Sequence, residues 1–178
     1  DSRTRAVRAI KEGRVKVNGV VITKTSYDVC DKSDSVICGE DPLPYVSRGA
    51  LKLERALEVF GVDVCGKNTV DIGASTGGFT QVLLQNDVKS VACIDVGHGQ
   101  LAKEIENDER VTSYEGTDVR SFTVGEGTYE VAVTDVSFIS LKLVVPHIHR
   151  LLAVGGIAVV LIKPQFEAGR EKVGKKGV

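Results

Sequence analysis

The sequence contains no methionine and no tryptophan, and aromatic residues make up only 5% of its 178 residues. Because it does not begin with methionine, we expect it to be a piece of a longer protein. No apolar run approaches the roughly 18–20 residues that cross a bilayer. The N-terminal segment DSRTRAVRAIKEGRVKVNG is basic and lacks the apolar core of a signal peptide. These absences predict a chain with no membrane span and no secretory leader.

Cysteine is also scarce, and its spacing shows no metal or disulfide signature. The four cysteines form no CxxC pair and no zinc-ligand pattern. Cys93 lies in the apolar run VACIDV, where a small buried hydrophobe is expected. The three histidines, His98, His147 and His149, form no cluster. We therefore predict no metal site, free thiols and a reducing cytoplasm.

Charge is nearly balanced overall, with a formal net charge of −1, but it is unevenly distributed. Residues 1–24 carry seven Lys and Arg against two acidic residues, and residues 163–178 carry five against two. Two basic ends around an acidic centre are typical of a protein that holds a polyanion such as nucleic acid. A solvated surface gives the same pattern, so both interpretations stay open.

The first forty residues predict a small separate unit. SRTRAVRAIKEG has apolar residues at helical spacing, and Gly13 is suited to end that helix. RVKVNGVVIT alternates apolar and polar residues on either side of NG, the strongest short-range signal for a β-hairpin. The prolines of GEDPLPY indicate a linker. We place the unit at residues 1–40 and the linker at residues 41–46.

The remaining residues, 47–178, alternate helical and strand patterns. SRGALKLERALEVFG (47–61) puts Leu53, Leu57 and Phe60 on one helix face, and Lys52 falls off that face. Five strands are predicted at 69–73, 90–96, 111–116, 129–136 and 156–164, with helices near 78–86, 99–107 and 140–153. Apolar strands joined by helices predict an α/β fold with a doubly wound, mostly parallel sheet.

A glycine-rich loop, DIGASTGGFT, follows the first of these strands. Parallel open sheets bind ligands at the carboxyl ends of their strands, so this loop is a candidate ligand site. It lacks the GK[ST] of a Walker A loop, and Ser75 occupies the place of the second glycine of GxGxxG, which disfavours a dinucleotide. The alternative is a turn that only connects strand and helix.

Acidic residues end the next two predicted strands. Asp95 lies about 20 residues beyond the loop, where a carboxylate can accept hydrogen bonds from two ribose hydroxyls. Asp118 follows the third strand and is placed to contact an adenine. Either residue alone could be a helix N-cap. Together they favour an adenosine ligand without a polyphosphate, and S-adenosylmethionine fits this description.

The fourth and fifth strands bring a carboxylate and an amine to the same edge of the sheet. Asp135 ends the fourth strand in TDVSFISL, and Lys163 ends the fifth in LIKPQFE. Pro164 biases Lys163 toward an extended conformation that directs the lysine into the cleft. A surface lysine at a strand terminus is the alternative.

Five motifs in this order resemble the TlyA/hemolysin A family of FtsJ-like ribosomal RNA methyltransferases: YVSRGALKLERAL, VDIGASTGGFTQVLL, DVGHGQL, TDVSFISL and LIKPQFEAGR. SRTRAVRAIKEGRVKVNG resembles the second half of that family's N-terminal RNA-binding domain. The resemblance implies that residues 47–178 form a Rossmann-like methyltransferase fold that is incomplete at its C-terminal end. It also implies a partial, small α+β RNA-binding domain at residues 1–40.

The resemblance further implies a catalytic tetrad of Lys, Asp, Lys and Glu, whose first three members are Lys52, Asp135 and Lys163. The fourth would lie on a later strand, beyond Val178. The cofactor would be S-adenosylmethionine, without a metal. Its expected binding residues are Gly73, Ala74, Ser75, Gly77, Gly78, Phe79, Thr80, Asp95, Val96, Asp118, Val119 and Asp135. The residues expected to bind RNA are Arg3, Arg5, Arg8, Lys11, Arg14, Lys16 and Arg48, with the basic tail GREKVGKKGV as a further candidate.

We thus expect an enzyme that methylates a ribose 2′-hydroxyl of ribosomal RNA, on cytidine by family precedent, with ribosomal RNA or ribosomal subunits as partners. Three alternatives stay open: a methyltransferase for a small molecule or protein, a non-catalytic RNA-binding or ribosome-assembly protein, and a membrane-active hemolysin. The last is disfavoured because no segment has a strongly apolar helical face flanked by aromatic residues.

Overall fold

The computed structural model describes residues 3–30, 32–39 and 45–168. The chain divides into two compact units, residues 1–44 and residues 45–178. The first unit contains helix α1 (Arg3–Lys11) and three short strands, β1 (Val15–Val17), β2 (Val20–Ile22) and β3 (Val36–Cys38). These strands form an antiparallel sheet in the order β2-β1-β3.

The NG turn forms the predicted hairpin between β1 and β2, with Val17 opposite Val20. Asn18 and Gly19 both have positive φ, at 51° and 81°, which is the conformation that a tight two-residue hairpin turn requires. Strand β3 was not predicted, because three residues in a polar segment give too short a pattern to distinguish from a loop.

The second unit is an α/β fold built on one parallel sheet. Its elements in chain order are α2 (Ala50–Phe60), β4 (Asn68–Ile72), α3 (Gly78–Gln85), β5 (Ser90–Ile94), α4 (Lys103–Glu106), β6 (Val111–Tyr114), β7 (Tyr129–Thr134), α5 (Leu141–Leu151), β8 (Leu152–Val160) and α6 (Pro164–Glu167). The strand order is β6-β5-β4-β7-β8, and every neighbouring pair is parallel. The prediction of a doubly wound parallel sheet is confirmed.

The three central strands, β4, β5 and β7, are covered on both faces, as their continuous apolar runs predicted. The edge strand β8 is not covered in this way, since none of its residues is buried and Ile157 is 40% exposed. One core joins Leu53 of α2 and Leu83 of α3 to the β-strand residue Val133. The other joins Ile148 of α5 to Val70 of β4. The chain turns one way from β4 to β5 and the other way to β7, so a crevice opens at the carboxyl ends of β4 and β7.

The strands are shorter at their carboxyl ends than predicted, and this difference matters for the site. β5 ends at Ile94, β7 at Thr134 and β8 at Val160. The polar residues that were predicted at strand ends therefore lie in the loops just beyond, where the backbone no longer makes the hydrogen bonds of the sheet. The helix predicted over 99–107 was also wrong in extent, since only Lys103–Glu106 is helical and Gly99 before it has φ +60°.

Candidate active site at the carboxyl ends of the strands

A cavity of about 590 Å³ lies over the ends of the central strands of the second unit. This volume is within the range of small-molecule sites, which is roughly 300–1,000 Å³. The lining includes seven of the residues expected to bind a cofactor, namely Gly73, Ser75, Asp95, Val96, Asp118, Val119 and Asp135. The structure thus brings together residues from four different strand ends.

Asp95 ties together the two loops that form one wall of this cavity. Its Oδ2 accepts a hydrogen bond from the backbone N–H of Ser75 at 2.8 Å, and its Oδ1 accepts one from Gly97 at 2.7 Å. The glycine loop approaches the neighbouring strand closely, because a Cβ at Gly73 would lie 3.2 Å from the carbonyl oxygen of Asp135. Gly73 also has φ +83°, so both space and backbone conformation favour glycine there.

Asp118 is held by an arginine that the sequence reasoning missed. Arg120 Nη2 lies 2.6 Å from Asp118 Oδ2, and the backbone N–H of Arg120 donates to Asp118 Oδ1 at 2.8 Å. These hydrogen bonds hold the pKa of Asp118 below its usual value. Arg120 also lines the cavity, so this wall presents an ion pair rather than a lone carboxylate.

The other expected cofactor residues do not line the cavity: Ala74, Gly77, Gly78, Phe79 and Thr80. Gly77 packs against Leu101, which a Cβ would approach to 2.9 Å. Gly78 faces the start of α2, where a Cβ would collide with Ser47 Oγ. Phe79 and Thr80 are buried in the core.

Below the glycine loop, Asp71 is a fully buried carboxyl group. Thr80 Oγ1 donates to its Oδ2 at 2.7 Å and lies 3.1 Å from Cys93 Sγ. Among the described residues, no partner reaches Asp71 Oδ1. Burial raises the pKa of Asp71 to about 7, with smaller contributions from the charges of Asp135 and Asp95. Burial likewise raises the pKa of the Cys93 thiol to about 12, so this buried thiol is protonated at neutral pH.

Lys52, Asp135 and Lys163 meet at the edge of the cavity. Lys163 Nζ lies 2.5 Å from Asp135 Oδ1, and Lys52 Nζ lies 3.2 Å from Asp135 Oδ2. The side chain of Lys163 is 19% exposed and that of Lys52 is 49% exposed. One carboxylate therefore holds two ammonium groups, of which that of Lys163 is largely enclosed and that of Lys52 is half-exposed.

Two further residues beside this cluster were not foreseen. Ser137 Oγ accepts a hydrogen bond from Lys163 Nζ at 2.7 Å. Phe138 lines the cavity with 91% of its surface exposed, φ +64° and a ring 5.2 Å from that of Phe166. A phenylalanine with positive φ is unusual, and the sequence carries no signal of backbone conformation at this position.

The basic residues expected to bind RNA are distributed in two different ways. Arg3, Lys11 and Lys16 of the first unit are exposed, as is Arg48 of the second. Arg8 and Arg14 instead lie beside the same carboxylate, with Nε atoms 3.7 Å and 2.9 Å from the two oxygens of Glu12. The side chain of Arg5 and residues 169–178, which include the basic tail, lie outside what the structure describes.

Neither a metal centre nor a membrane span is present in the described part of the chain. No group of three or more His, Cys, Asp or Glu is placed to hold a metal ion there. No helix in that part has the length and apolar character needed to cross a membrane.

Comparison with known proteins gives one consistent result for each unit. Residues 45–178 match the family described as FtsJ-like methyltransferase, and residues 1–36 match the S4 domain. YqxC of Bacillus subtilis is 46% identical over 181 residues, which cover 100% of this chain and 64% of YqxC.

Two other similar proteins were found. The 16S/23S rRNA (cytidine-2′-O)-methyltransferase TlyA of Mycobacterium tuberculosis is 41% identical over 180 residues, covering 99% of this chain and 67% of TlyA. The solved structure of a Streptococcus thermophilus protein named as a hemolysin has a TM-score of 0.75 and 44% identity, covering 97% of this chain and 64% of that one. This chain thus spans 64–67% of the length of these relatives.

Proposed function

Because this chain belongs to the TlyA/hemolysin A family of FtsJ-like methyltransferases, we propose that it transfers a methyl group from S-adenosylmethionine to a ribose 2′-hydroxyl of ribosomal RNA. The observation that carries the proposal is the pair of lysines on one carboxylate at the edge of a nucleoside-sized cavity. We propose cytidine as the nucleotide, since the relative TlyA is named for that reaction. The site of action would be the cytoplasm.

The donor set of the cavity fits S-adenosylmethionine. Asp95, whose carboxylate already orders two loop amides, has free lone pairs for the ribose hydroxyls of the adenosine. Val96 and Val119 provide apolar surface for an adenine. Among the residues that the structure describes, no lysine lines the cavity to cradle phosphates as in a nucleoside triphosphate site. When bound, the cofactor supplies an electrophilic methyl group on a sulfonium.

Lys163 would activate the attacking hydroxyl. A ribose hydroxyl is a weak nucleophile until its proton is removed or its developing negative charge is stabilised. Lys163 Nζ lies at the cavity edge, where as an ammonium group it would stabilise the developing alkoxide. To take the hydroxyl proton instead, it would first have to release one of its own protons. Asp135 would orient the amine and stabilise its charge, as the 2.5 Å contact supports. Alignment of the reacting atoms would supply much of the rate without a covalent intermediate.

Lys52 and Arg48 would hold the RNA backbone at the entrance. Both side chains are exposed near the start of α2, and Lys52 keeps one contact with Asp135. Near Lys163, the exposed ring of Phe138 packs against the partly buried ring of Phe166, which suits stacking of an unpaired base on Phe138. The exposed Arg3, Lys11 and Lys16 of the S4 unit would add phosphate contacts, which give affinity without sequence choice.

The test is methyl transfer by the full-length protein from labelled S-adenosylmethionine to ribosomal subunits. We expect label in ribosomal RNA, at a cytidine whose 3′ phosphodiester resists alkaline hydrolysis because the 2′-hydroxyl is blocked. Label on a base would contradict ribose methylation. Label only in protein or in small molecules would favour the other methyltransferase class. RNA binding without any label would favour the ribosome-assembly alternative.

Calorimetry provides an independent test of the cofactor. We expect S-adenosylmethionine to bind, and NAD and ATP to bind weakly or not at all. Binding of NAD or ATP alone would overturn the cofactor assignment.

RNA binding should depend on salt. The logarithm of the affinity should fall linearly with the logarithm of the salt concentration, because phosphate contacts release counterions.

A further inference from the structure

The single-turn helix α6 (Pro164–Glu167) is attached at both ends to the segment that follows β7. At its start, Lys163 Nζ contacts Asp135 Oδ1 and donates to Ser137 Oγ. At its end, the carboxylate of Glu167 reaches the beginning of α5. Two segments that are distant in sequence are therefore joined on both sides of the Lys163 amine.

Glu167 makes two hydrogen bonds at the N-terminus of α5. Ser140 Oγ donates to its Oε2 at 2.7 Å, and the backbone N–H of Leu141 donates to its Oε1 at 2.8 Å. These bonds, with that from Leu141 the larger cause, hold the pKa of Glu167 below its usual value. The unpaired N–H groups and the dipole of a helix N-terminus favour a carboxylate at this position. Glu167 is therefore ionised at neutral pH and bonded through both oxygens.

The turn between the two attachments is stiff. Pro164 fixes one backbone torsion of its first residue. The N–H of Phe166 donates to the carbonyl of Lys163 at 2.9 Å, and that of Ala168 donates to Pro164 at 2.9 Å. Because the turn is stiff, a displacement of Glu167 would also displace the backbone of Lys163.

We propose that Glu167 is a positioning residue that holds the Lys163 amine on Asp135 by fixing α6 to the N-terminus of α5. The proposal rests on the methyltransferase function proposed above, because only then does the position of the amine set a rate. Glu167 itself contacts neither the described cavity nor Asp135. Its effect on the reaction passes through Lys163.

The experiment compares Glu167→Ala and Glu167→Gln in the full-length protein. Since a misplacement of about 1 Å can cost about 10²-fold in rate, we expect Glu167→Ala to lower kcat by a factor of that order. The KM and Kd for S-adenosylmethionine should stay unchanged, because Asp95 and Gly73 are untouched. Glu167→Gln, which keeps an oxygen acceptor and the side-chain length, should retain an intermediate kcat.

Asp63→Ala is the matched control. Asp63 Oδ1 also accepts a backbone N–H, that of Cys65 at 3.0 Å, on an exposed part of the same unit. If Glu167→Ala lowers kcat no more than Asp63→Ala, the proposal is overturned. It is also overturned if, in both Glu167 variants, the loss of thermal stability fully accounts for the loss of kcat, because a purely structural helix cap would give that result.

A second readout does not depend on methyl transfer. The rate at which an amine-acylating reagent labels Lys163 should rise several-fold in Glu167→Ala, because the amine loses its fixed ion pair. The exposed Lys89 provides the internal reference. Unchanged labelling of Lys163 overturns the positioning role. If Glu167→Ala increases the labelling of Lys163 but the wild-type protein transfers no methyl group, the positioning role is supported and the proposed function is contradicted.

Discussion

Lys52 of α2 and Lys163, which follows β8, contact the two oxygens of a single carboxylate, that of Asp135. Lys163 Nζ lies 2.5 Å from Oδ1, and Lys52 Nζ lies 3.2 Å from Oδ2. The two contacts differ in exposure, since Lys163 is largely enclosed whereas Lys52 is half-exposed. An exposed ion pair is weak and screened by salt, so the two lysines are not equivalent.

The first prediction follows from that inequality. Lys163→Met should lower kcat about 10²- to 10⁴-fold, which is the range for losing a general acid–base group. Lys52→Met should cause a smaller loss, mainly as a higher KM for RNA. Steady-state kinetics with ribosomal subunits checks both, and Lys89→Met serves as an exposed-lysine control. Unchanged methylation by Lys163→Met would remove Lys163 from the mechanism.

Asp95 should control cofactor affinity. Its carboxylate accepts the N–H groups of Ser75 and Gly97 while facing the cavity. Asp95→Ala should weaken S-adenosylmethionine binding about 10- to 100-fold, since a hydrogen bond to a charged group contributes about 1.5–3 kcal/mol. Calorimetry measures this change. Asp108→Ala is the control, because Asp108 also accepts a backbone N–H but lies outside the cavity.

Asp71 should make stability depend on pH. Its pKa is raised from 3.8 to about 7, first by burial, so the folded state keeps a proton that the unfolded state loses above about pH 4. Between these pH values the folded state binds more protons than the unfolded state. The free energy of unfolding should therefore fall as pH rises, by at most about 1.4 kcal/mol per pH unit, and level off above about pH 7.

Asp71→Asn removes this dependence because the amide does not titrate. Denaturant unfolding at several pH values compares the two proteins. The difference in unfolding free energy, wild type minus variant, should decrease from pH 4 to pH 7. A constant difference across that range would show that Asp71 ionises normally in the folded protein.

The lack of a side chain at Gly78 should be what allows α2 to pack in its position. A Cβ at Gly78 would collide with Ser47 Oγ and lie 3.2 Å from the backbone nitrogen of Ala50. Gly78→Ala should cost about 1–3 kcal/mol of stability, as overpacking does, and should lower methylation because α2 carries Lys52. Cofactor affinity should change less than activity.

The double variant Gly78→Ala with Ser47→Ala tests the cause. Removing the Ser47 hydroxyl relieves the nearest collision, so part of the lost stability should return. Chemical unfolding of the single and double variants gives the coupling free energy. Additive losses would mean that Ser47 is not what the new methyl group meets.

Much of the fold was predictable because its signals are local. Asn18 and Gly19 determine a hairpin through their tolerance of positive φ. The polar residues after apolar strands, such as Asp95 and Asp135, were predicted to share an edge because parallel strands align their carboxyl ends. Lys163 was predicted to face that edge as the last residue of a strand stopped by Pro164. The strand ends three residues earlier, at Val160, and Lys163 still reaches Asp135.

Side-chain direction was less predictable. Gly78 and Thr80 belong to the glycine-rich motif, yet both point into packed surroundings rather than into the cavity. Arg120 and Glu167 were missed because their partners, Asp118 and the N-terminus of α5, cannot be read from spacing. Lys52 lies off the apolar face of α2, and only the family resemblance indicated its role.

The sequence by itself determined the α/β class, the hairpin and the edge of the sheet at which the candidate site lies. Periodicity, glycine and proline act on neighbouring residues, so these features need no knowledge of distant contacts. Only the tertiary structure decided which side chains meet there: two lysines on Asp135, Arg120 on Asp118 and Glu167 on α5. Those pairs form by packing and hydrogen bonding between elements that are distant in sequence. The local order of residues along the chain does not encode which way such side chains point.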